Sequence, residues 1–310
     1  MAEEFLLIAD DIADKSSKGR RRSKLIRENA IELAKKMNLN AEFLFVANLN
    51  SKLFKKNEMA LFTETFGSAK SSIEKQFKKG QVPLKLKIKY GVPAEEILSE
   101  MDRINNAKLL VLGTQGKKGL KKVLLGSVAE EVLRNSPLPT LVIGPIAQEQ
   151  QAVVKLDENL QIHFLTDLSS SSAEAEKFVI AFCKQFKCSV LIVHSVGEQI
   201  MKIRENLYST GYMPFNIEKV FSQMVDDAQR ELQRKTRDWV KQGLKASPLL
   251  IDKEQSLEKS LKTLRPSPPG LIVMGTHGRN KIVTSFLGST ARKFLLTSSV
   301  PVMVVRSIRD

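Results

Sequence analysis

The chain has 310 residues, 42% of them hydrophobic, and 49 Lys+Arg against 34 Asp+Glu give it a net charge of +15. That length predicts about two domains, and the charge divides almost evenly, +8 over residues 1–150 and +7 over 151–310, which argues against the concentrated basic arm of a nucleic-acid binder. No apolar run reaches the ~20 residues of a membrane span, the acidic start Met-Ala-Glu-Glu-Phe predicts no signal peptide, and two cysteines spaced Cys-x4-Cys complete no metal site, so the expectation is a reducing, cytoplasmic compartment.

In the first half, Phe5 to Ala9 reads as a buried strand ending at Asp10-Asp11. A polar, basic loop with Arg20, Arg21 and Arg22 follows, then a helix from Lys24 to Met37 whose Leu25, Ile26, Ala30, Ile31, Leu33 and Ala34 recur at helical spacing. Further on come a strand at Ala41–Ala47, a helix around Met59–Lys79, an alternating strand at Leu84–Lys89, a helix from Pro93 to Met101 and a strand at Lys108–Leu112. Lys85, Lys87 and Lys89 share one strand face, and a solvated surface is the plainer reading of them beside some affinity for polyanions.

The second half repeats that order. Strands are predicted at Ile162–Thr166, Ser189–His194, Leu249–Ile251 and Leu271–Met274, with helices at Ala173–Phe186 and Ile217–Leu244. The segment 197–216, with Tyr208, Tyr212 and Phe215, reads as either a lid or a partner surface. Strands separated by helices predict parallel βαβ units. The domains are expected at 1–147 and 160–310, joined by a Gln- and Glu-rich linker at 148–159.

The two halves also share a glycine pattern. Gly113-Thr-Gln-Gly116 is followed after nine residues by Gly126-Ser127, and Gly275-Thr-His-Gly278 after nine residues by Gly288-Ser289. The copies lie 162 residues apart, a domain-sized period rather than a solenoid one. An apolar strand feeding a glycine-rich loop that ends at a helix start brings unobstructed backbone N–H groups towards an anion, the arrangement that holds phosphate. Turn-forming glycines are the plainer alternative. Ser127 to Glu130 also fits a capping box, whereas Ser289-Thr290-Ala-Arg292 lacks the acidic partner. Neither loop is a Walker loop, so no lysine or magnesium-binding hydroxyl is placed for phosphoryl transfer.

Other side chains carry weaker signals. Asp11 and Asp167, at the ends of the first strand of each half, are candidates either for ribose hydroxyls or for capping the next turn. Thr166 and the serines from Ser169 to Ser172 supply capping hydroxyls. His163, His194 and His277 are scattered, and His277 reads as a packing or hydrogen-bonding residue. Cys183 and Cys188 read as small buried hydrophobes.

The loop Gly-x2-Gly-x9-Gly-Ser/Thr, matched at every fixed position in both halves, resembles that of the universal stress proteins in their tandem two-domain form. Gly126-Ser-Val-Ala-Glu-Glu-Val-Leu133 and Gly91-Val-Pro-Ala-Glu-Glu-Ile-Leu98 resemble further family segments, and the resemblance covers essentially the whole chain. It implies an α/β fold of two tandem, doubly wound, five-stranded parallel sheets, related to adenine-nucleotide-binding domains. It further implies ATP binding, optionally with Mg2+. Asp11, Thr166 and Asp167 would lie near ribose or base. Gly113, Gly116, Gly126, Ser127 and Val128, with Gly275, Gly278, Gly288, Ser289 and Thr290, would hold phosphates. The last strands, Leu141–Ile143 and Val302–Val305, would serve intramolecular domain pairing, with a homodimer as a further option. Two departures stand out: Asp10-Asp11-Ile-Ala-Asp14 replaces the family's Asp-x-Ser in the first half, and the second half reads Asp252-Lys-Glu where Gly-x-Pro is usual. The second site therefore keeps nearer to type at its base-binding end.

The functional expectation is a nucleotide-responsive stress-tolerance factor, with at most slow ATP hydrolysis and no catalytic residues assigned. The alternatives are a scaffold that binds protein, lipid or polyanion without nucleotide, and an ATP-consuming enzyme of a related fold.

Overall fold

A computed structural model describes residues 3–14, 16–47, 58–104, 106–114, 125–211, 214–264, 267–276 and 287–306, without the side chains of 58–65 and 68. The chain forms two compact units: one runs to Leu156 and takes in the closing helix and strand up to Arg306, and the other begins at Asp157.

In the first unit β1 (Phe5–Ala9), α1 (Ser17–Met37), β2 (Asn40–Ala47), α2 (Glu58–Gly80), β3 (Leu84–Tyr90), α3 (Pro93–Arg103), β4 (Ala107–Gly113), α4 (Ser127–Asn135), β5 (Thr140–Ile143) and α5 (Pro145–Glu149) alternate, all but α5 as predicted. The strands lie in the order β3-β2-β1-β4-β5 and run parallel. Leu6, Leu7, Ile8, Phe43, Leu110 and Val111 are buried in it. Near-continuous apolar strands are what a parallel sheet with helices on both faces requires.

The second unit contains β6 (Gln161–Leu165), α6 (Ala173–Phe186), β7 (Ser189–Ser195), α7 (Gly197–Thr210), α8 (Ile217–Lys241), β8 (Lys245–Ile251), α9 (Leu257–Leu264) and β9 (Leu271–Gly275). These strands are parallel in the order β9-β6-β7-β8. Trp239, the one tryptophan, is buried against Phe164 with ring centroids 5.6 Å apart and donates to Glu176 Oε1 at 3.0 Å.

The second sequence repeat closes with α10 (Ser289–Thr297) and β10 (Val302–Val305), which belong to the first compact unit. There β10 runs antiparallel to β5, with Val302 opposite Val142 and Val304 opposite Thr140. The boundaries of sequence repeat and compact unit therefore differ at the C-terminus. Gly144 permits the accompanying approach of backbones, because a Cβ there would lie 2.2 Å from the Leu295 carbonyl oxygen.

Helices α5, α7 and α9 are not among the elements expected from the sequence, α7 forming within the segment 197–216 that reads as lid or partner surface, and two further segments differ from the sequence reading. The basic run 17–23, expected as loop, forms the first turns of α1, since Ser16 accepts from the Gly19 N–H at 3.0 Å and starts the helix early. The expected linker is docked rather than free as far as Leu156. Asn29, fully buried on α1, donates to the Ala152 carbonyl at 3.1 Å and accepts from the Val154 N–H at 2.9 Å, and Val154 and Leu156 are buried.

Candidate functional site

Strand order reverses between β1 and β4, and the analogous neighbours in the second unit are β6 and β9. In open parallel sheets such a reversal opens a crevice beyond the strand C-termini. Registers make the repeats equivalent: Ala9 lies opposite Leu112, and Leu165 opposite Met274. Asp11 and Asp167 each sit two residues beyond those positions, so the structure assigns them the same place. Both fold back on their own turns, with Asp11 Oδ1 accepting from the Ala13 N–H at 3.0 Å and Asp167 Oδ1 from the Ser169 N–H at 3.0 Å. That is the capping geometry of an Asx turn.

The surroundings of the two aspartates differ. In the first repeat, Asp10 takes the place of Thr166, and its carboxylate is buried. Burial raises its pKa above the ordinary value, against the opposing pull of Ser23, Arg22 and Arg27. Arg22, buried on α1, brings Nε within 3.8 Å of Asp10 Oδ1, donates from Nη2 to the Asp11 carbonyl at 3.1 Å and from Nη1 to Asp14 Oδ2 at 3.4 Å. Its stem and Ile26 fill the space above Gly113: a Cβ there would meet Ile26 Cδ1 at 2.7 Å and Arg22 Cδ at 3.1 Å. Gly113 therefore has a helix-packing reason of its own. The three-arginine run was the only sequence signal for Arg22, and placing it in a loop concealed its burial.

In the second repeat Asp167 is enclosed by hydroxyls. Ser169 Oγ donates to Oδ2 at 2.7 Å and Ser172 Oγ to Oδ1 at 2.7 Å. Thr166 Oγ1 accepts from the Leu168 N–H at 3.0 Å, and the Thr166 carbonyl faces His194 Nδ1 at 2.9 Å. Leu168 holds φ at 60°, the left-handed region that a branched side chain avoids. A residue kept there costs on the order of 1–3 kcal/mol, and such outliers cluster at functional sites. His163, on β6 itself, is buried, which lowers its pKa, and its Nε2 lies 2.8 Å from the Ser267 carbonyl.

Each copy of the glycine pattern ends at a helix start. The capping-box expectation for Ser127 is corrected: Gly126 is the N-cap of α4, and Ser127 is its first helical residue. Glu130 turns sideways to Arg134 at 3.4 Å and to Arg292. At α10 Gly288 is the N-cap in the same way. No side chain caps either first turn among the described residues, so their N–H groups keep the anion-binding character of an open helix start. Ser127, Val128 and Ser289 are exposed and Thr290 is half-buried. Gly113 and Gly275 end β4 and β9. Gly116, Gly278 and His277 lie outside the described residues. No group of three His, Cys, Asp or Glu among the described residues could hold a metal ion, and no helix among them is long and apolar enough to cross a membrane.

The model of the universal stress protein family matches residues 19–144 and 160–306. Two universal stress proteins of Methanocaldococcus jannaschii are similar to it. One is 39% identical over 83 residues, 27% of this chain and 48% of that protein. The other is 32% identical over 111 residues, 35% of this chain and 68% of that protein. The match to the first thus spans about half of that relative's length. The crystal structure of a universal stress protein from Archaeoglobus fulgidus resembles the fold with a TM-score of 0.70 at 18% identity, covering 99% of this chain and all of that one. With two matched segments that take in most of its residues, the chain belongs to the universal stress protein family, in tandem two-domain form.

Proposed function

We propose that the protein binds an adenine nucleotide, ATP, with its phosphates at a glycine-capped helix start. The observation that carries this reading is the pair of equivalent N-caps, Gly126 and Gly288, where a family-type loop reaches a helix whose first N–H groups no described side chain satisfies. Mg2+ would arrive with the phosphates, since no described acidic cluster is built for it. The helix charge alone contributes about 0.3–1 kcal/mol, against the about 8 kcal/mol of micromolar binding. Several N–H contacts and an enclosed base must supply the rest.

The second repeat is the first choice. The strained turn at Leu168 and the hydroxyl-lined Asp167 mark a built polar position, whereas Arg22 and Ile26 occupy the space over Gly113 in the first repeat. That packing favours a second reading for the first repeat alone, as a scaffold domain that keeps the fold without a nucleotide. The role is that of a nucleotide-responsive stress factor of the cytoplasm, with at most slow hydrolysis.

The test is titration of ATP into the full chain and into Gly126→Asp and Gly288→Asp. Aspartate is a favoured N-cap, so both variants keep their helices while satisfying the first-turn N–H groups and repelling phosphate. Gly288→Asp should weaken ATP at least tenfold and Gly126→Asp should change it little. Unchanged binding in both would refute the glycine-capped site.

A further inference from the structure

The two cysteines of the chain play no part in the nucleotide reading, yet the fold brings them together. Cys183 lies in the last turn of α6, and Cys188 precedes β7. Between them Lys187 turns the backbone through the left-handed region at φ 54° and ends the helix. Both thiols are free and buried, and their sulfurs lie 3.4 Å apart. A disulfide requires about 2.05 Å, so closure by about 1.4 Å, within reach of side-chain rotation at a helix end, would join them.

We propose that Cys183 and Cys188 form a reversible dithiol–disulfide site, closed within the chain by hydrogen peroxide and reopened by a thiol reductant. The two sulfurs are not equivalent. The hydrogen bond with Cys183, helped by the charge of Lys245, holds Cys188 below the ordinary thiol range despite its burial. That same bond, together with burial, pushes Cys183 well above it. Lys245, opposite Ser189 on the neighbouring strand β8, places a positive charge that favours the Cys188 thiolate, so Cys188 is assigned as the attacking sulfur and Cys183 as the resolving one. The Cys188 thiolate attacks one peroxide oxygen, breaking the O–O bond. This leaves a sulfenic acid and a hydroxide, which takes up the proton that Cys188 gave off and becomes water. The Cys183 sulfur then attacks the Cys188 sulfur, forming the S–S bond, and the sulfenic hydroxyl departs with the Cys183 proton as a second water. Two electrons pass from the thiol pair to peroxide, which is reduced to water. Because both sulfurs are buried, peroxide gains access when the C-terminal turn of α6 opens, a low-cost local event at a helix end.

The test uses the reduced full chain exposed to hydrogen peroxide, quenched, denatured and examined by thiol alkylation and intact mass. The alkylatable thiols should fall from two to none with the loss of two hydrogens from the mass, and dithiothreitol should restore both. In Cys183→Ser, the same treatment should leave Cys188 as a sulfenic acid, one oxygen heavier, or as a disulfide between two chains. Two thiols persisting in the treated parent chain, or a mass gain of oxygen instead of a hydrogen loss, would overturn the proposal. A Cys188 that stays reduced in Cys183→Ser would contradict its role as the attacking sulfur.

Discussion

Glu130 of α4 and Arg292 of α10 stand 162 residues apart, each the fourth residue of its helix, and their side chains pair with one another. The two repeats thus carry opposite charges at one equivalent position, just where α4 and α10 accompany the antiparallel strands β5 and β10. A symmetric meeting of two α4 helices, or of two α10 helices, would set like charges together. Glu130 is 17% exposed at its side chain and Arg292 39%, so the pair is worth about 0.5–1 kcal/mol. Arg292→Glu should destabilise the protein by that amount or more, and the swap Glu130→Arg with Arg292→Glu should recover most of the loss. A urea-unfolding double-mutant cycle with no coupling would show that the pair has no role in stability.

Glu100 should dominate the acid response of the first unit. Its side chain is fully buried on α3; Lys87 donates to Oε1 at 2.8 Å, the Lys89 ammonium lies 3.0 Å from Oε2, and Arg103 completes the ring. Burial pushes the Glu100 carboxyl up, but the hydrogen bonds from Lys87, Lys89 and Arg103 outweigh it and hold the pKa at about 2. A depressed carboxylate contributes stability above its unfolded value of 4.5 that is lost as pH falls through about 2. The melting temperature should therefore fall across that window as pH drops, and Glu100→Gln should flatten the fall while costing about 1.5–3 kcal/mol at neutral pH.

Asp10 should behave in the opposite sense. Its raised pKa means that its contribution is complete below 3.8 and is lost as pH rises through the folded value. Asp10→Asn should accordingly cost less at neutral pH than Glu100→Gln and should remove the alkaline-going decline. Equal losses at neutral pH, measured by denaturant unfolding, would contradict this account of Asp10.

Two glycines separate packing from tolerance. Gly144→Ala sets a Cβ 2.2 Å from the Leu295 carbonyl, a backbone atom that cannot rotate away, whereas Gly113→Ala meets only side-chain atoms, the end of Ile26 at 2.7 Å and the stem of Arg22 at 3.1 Å. Overpacking costs typically about 1–3 kcal/mol. Gly144→Ala should lie at or beyond the top of that range and Gly113→Ala near the bottom; thermal unfolding ranks them.

The fold was legible because its strands are apolar runs and its helices have apolar stripes. The alternation from Phe5 to Gly113 followed from that, as did α6 and α8 with strands β6, β7 and β9; α7, in the undecided segment 197–216, and α9 were not read from the sequence. What escaped were residues whose partners are remote in sequence. Asn29, a polar residue on the apolar face of α1, and the apolar Val154 and Leu156 in a polar stretch were each a visible anomaly, but their meeting across more than 120 residues was not. Lys87 and Lys89 read as solvated because Glu100 lies on a separate element. The capping box at Ser127 failed because a glycine one residue earlier takes the N-cap position and Glu130 finds arginines instead. The candidate aspartates were aligned correctly from spacing, and strand register supplied the reason.

The most direct test of nucleotide binding is native mass spectrometry of the full chain with ATP, counting nucleotides per chain. We predict one bound ATP on the parent chain, absent from Gly288→Asp and retained by Gly126→Asp. A parent chain that carries no nucleotide at saturating ATP would contradict the account.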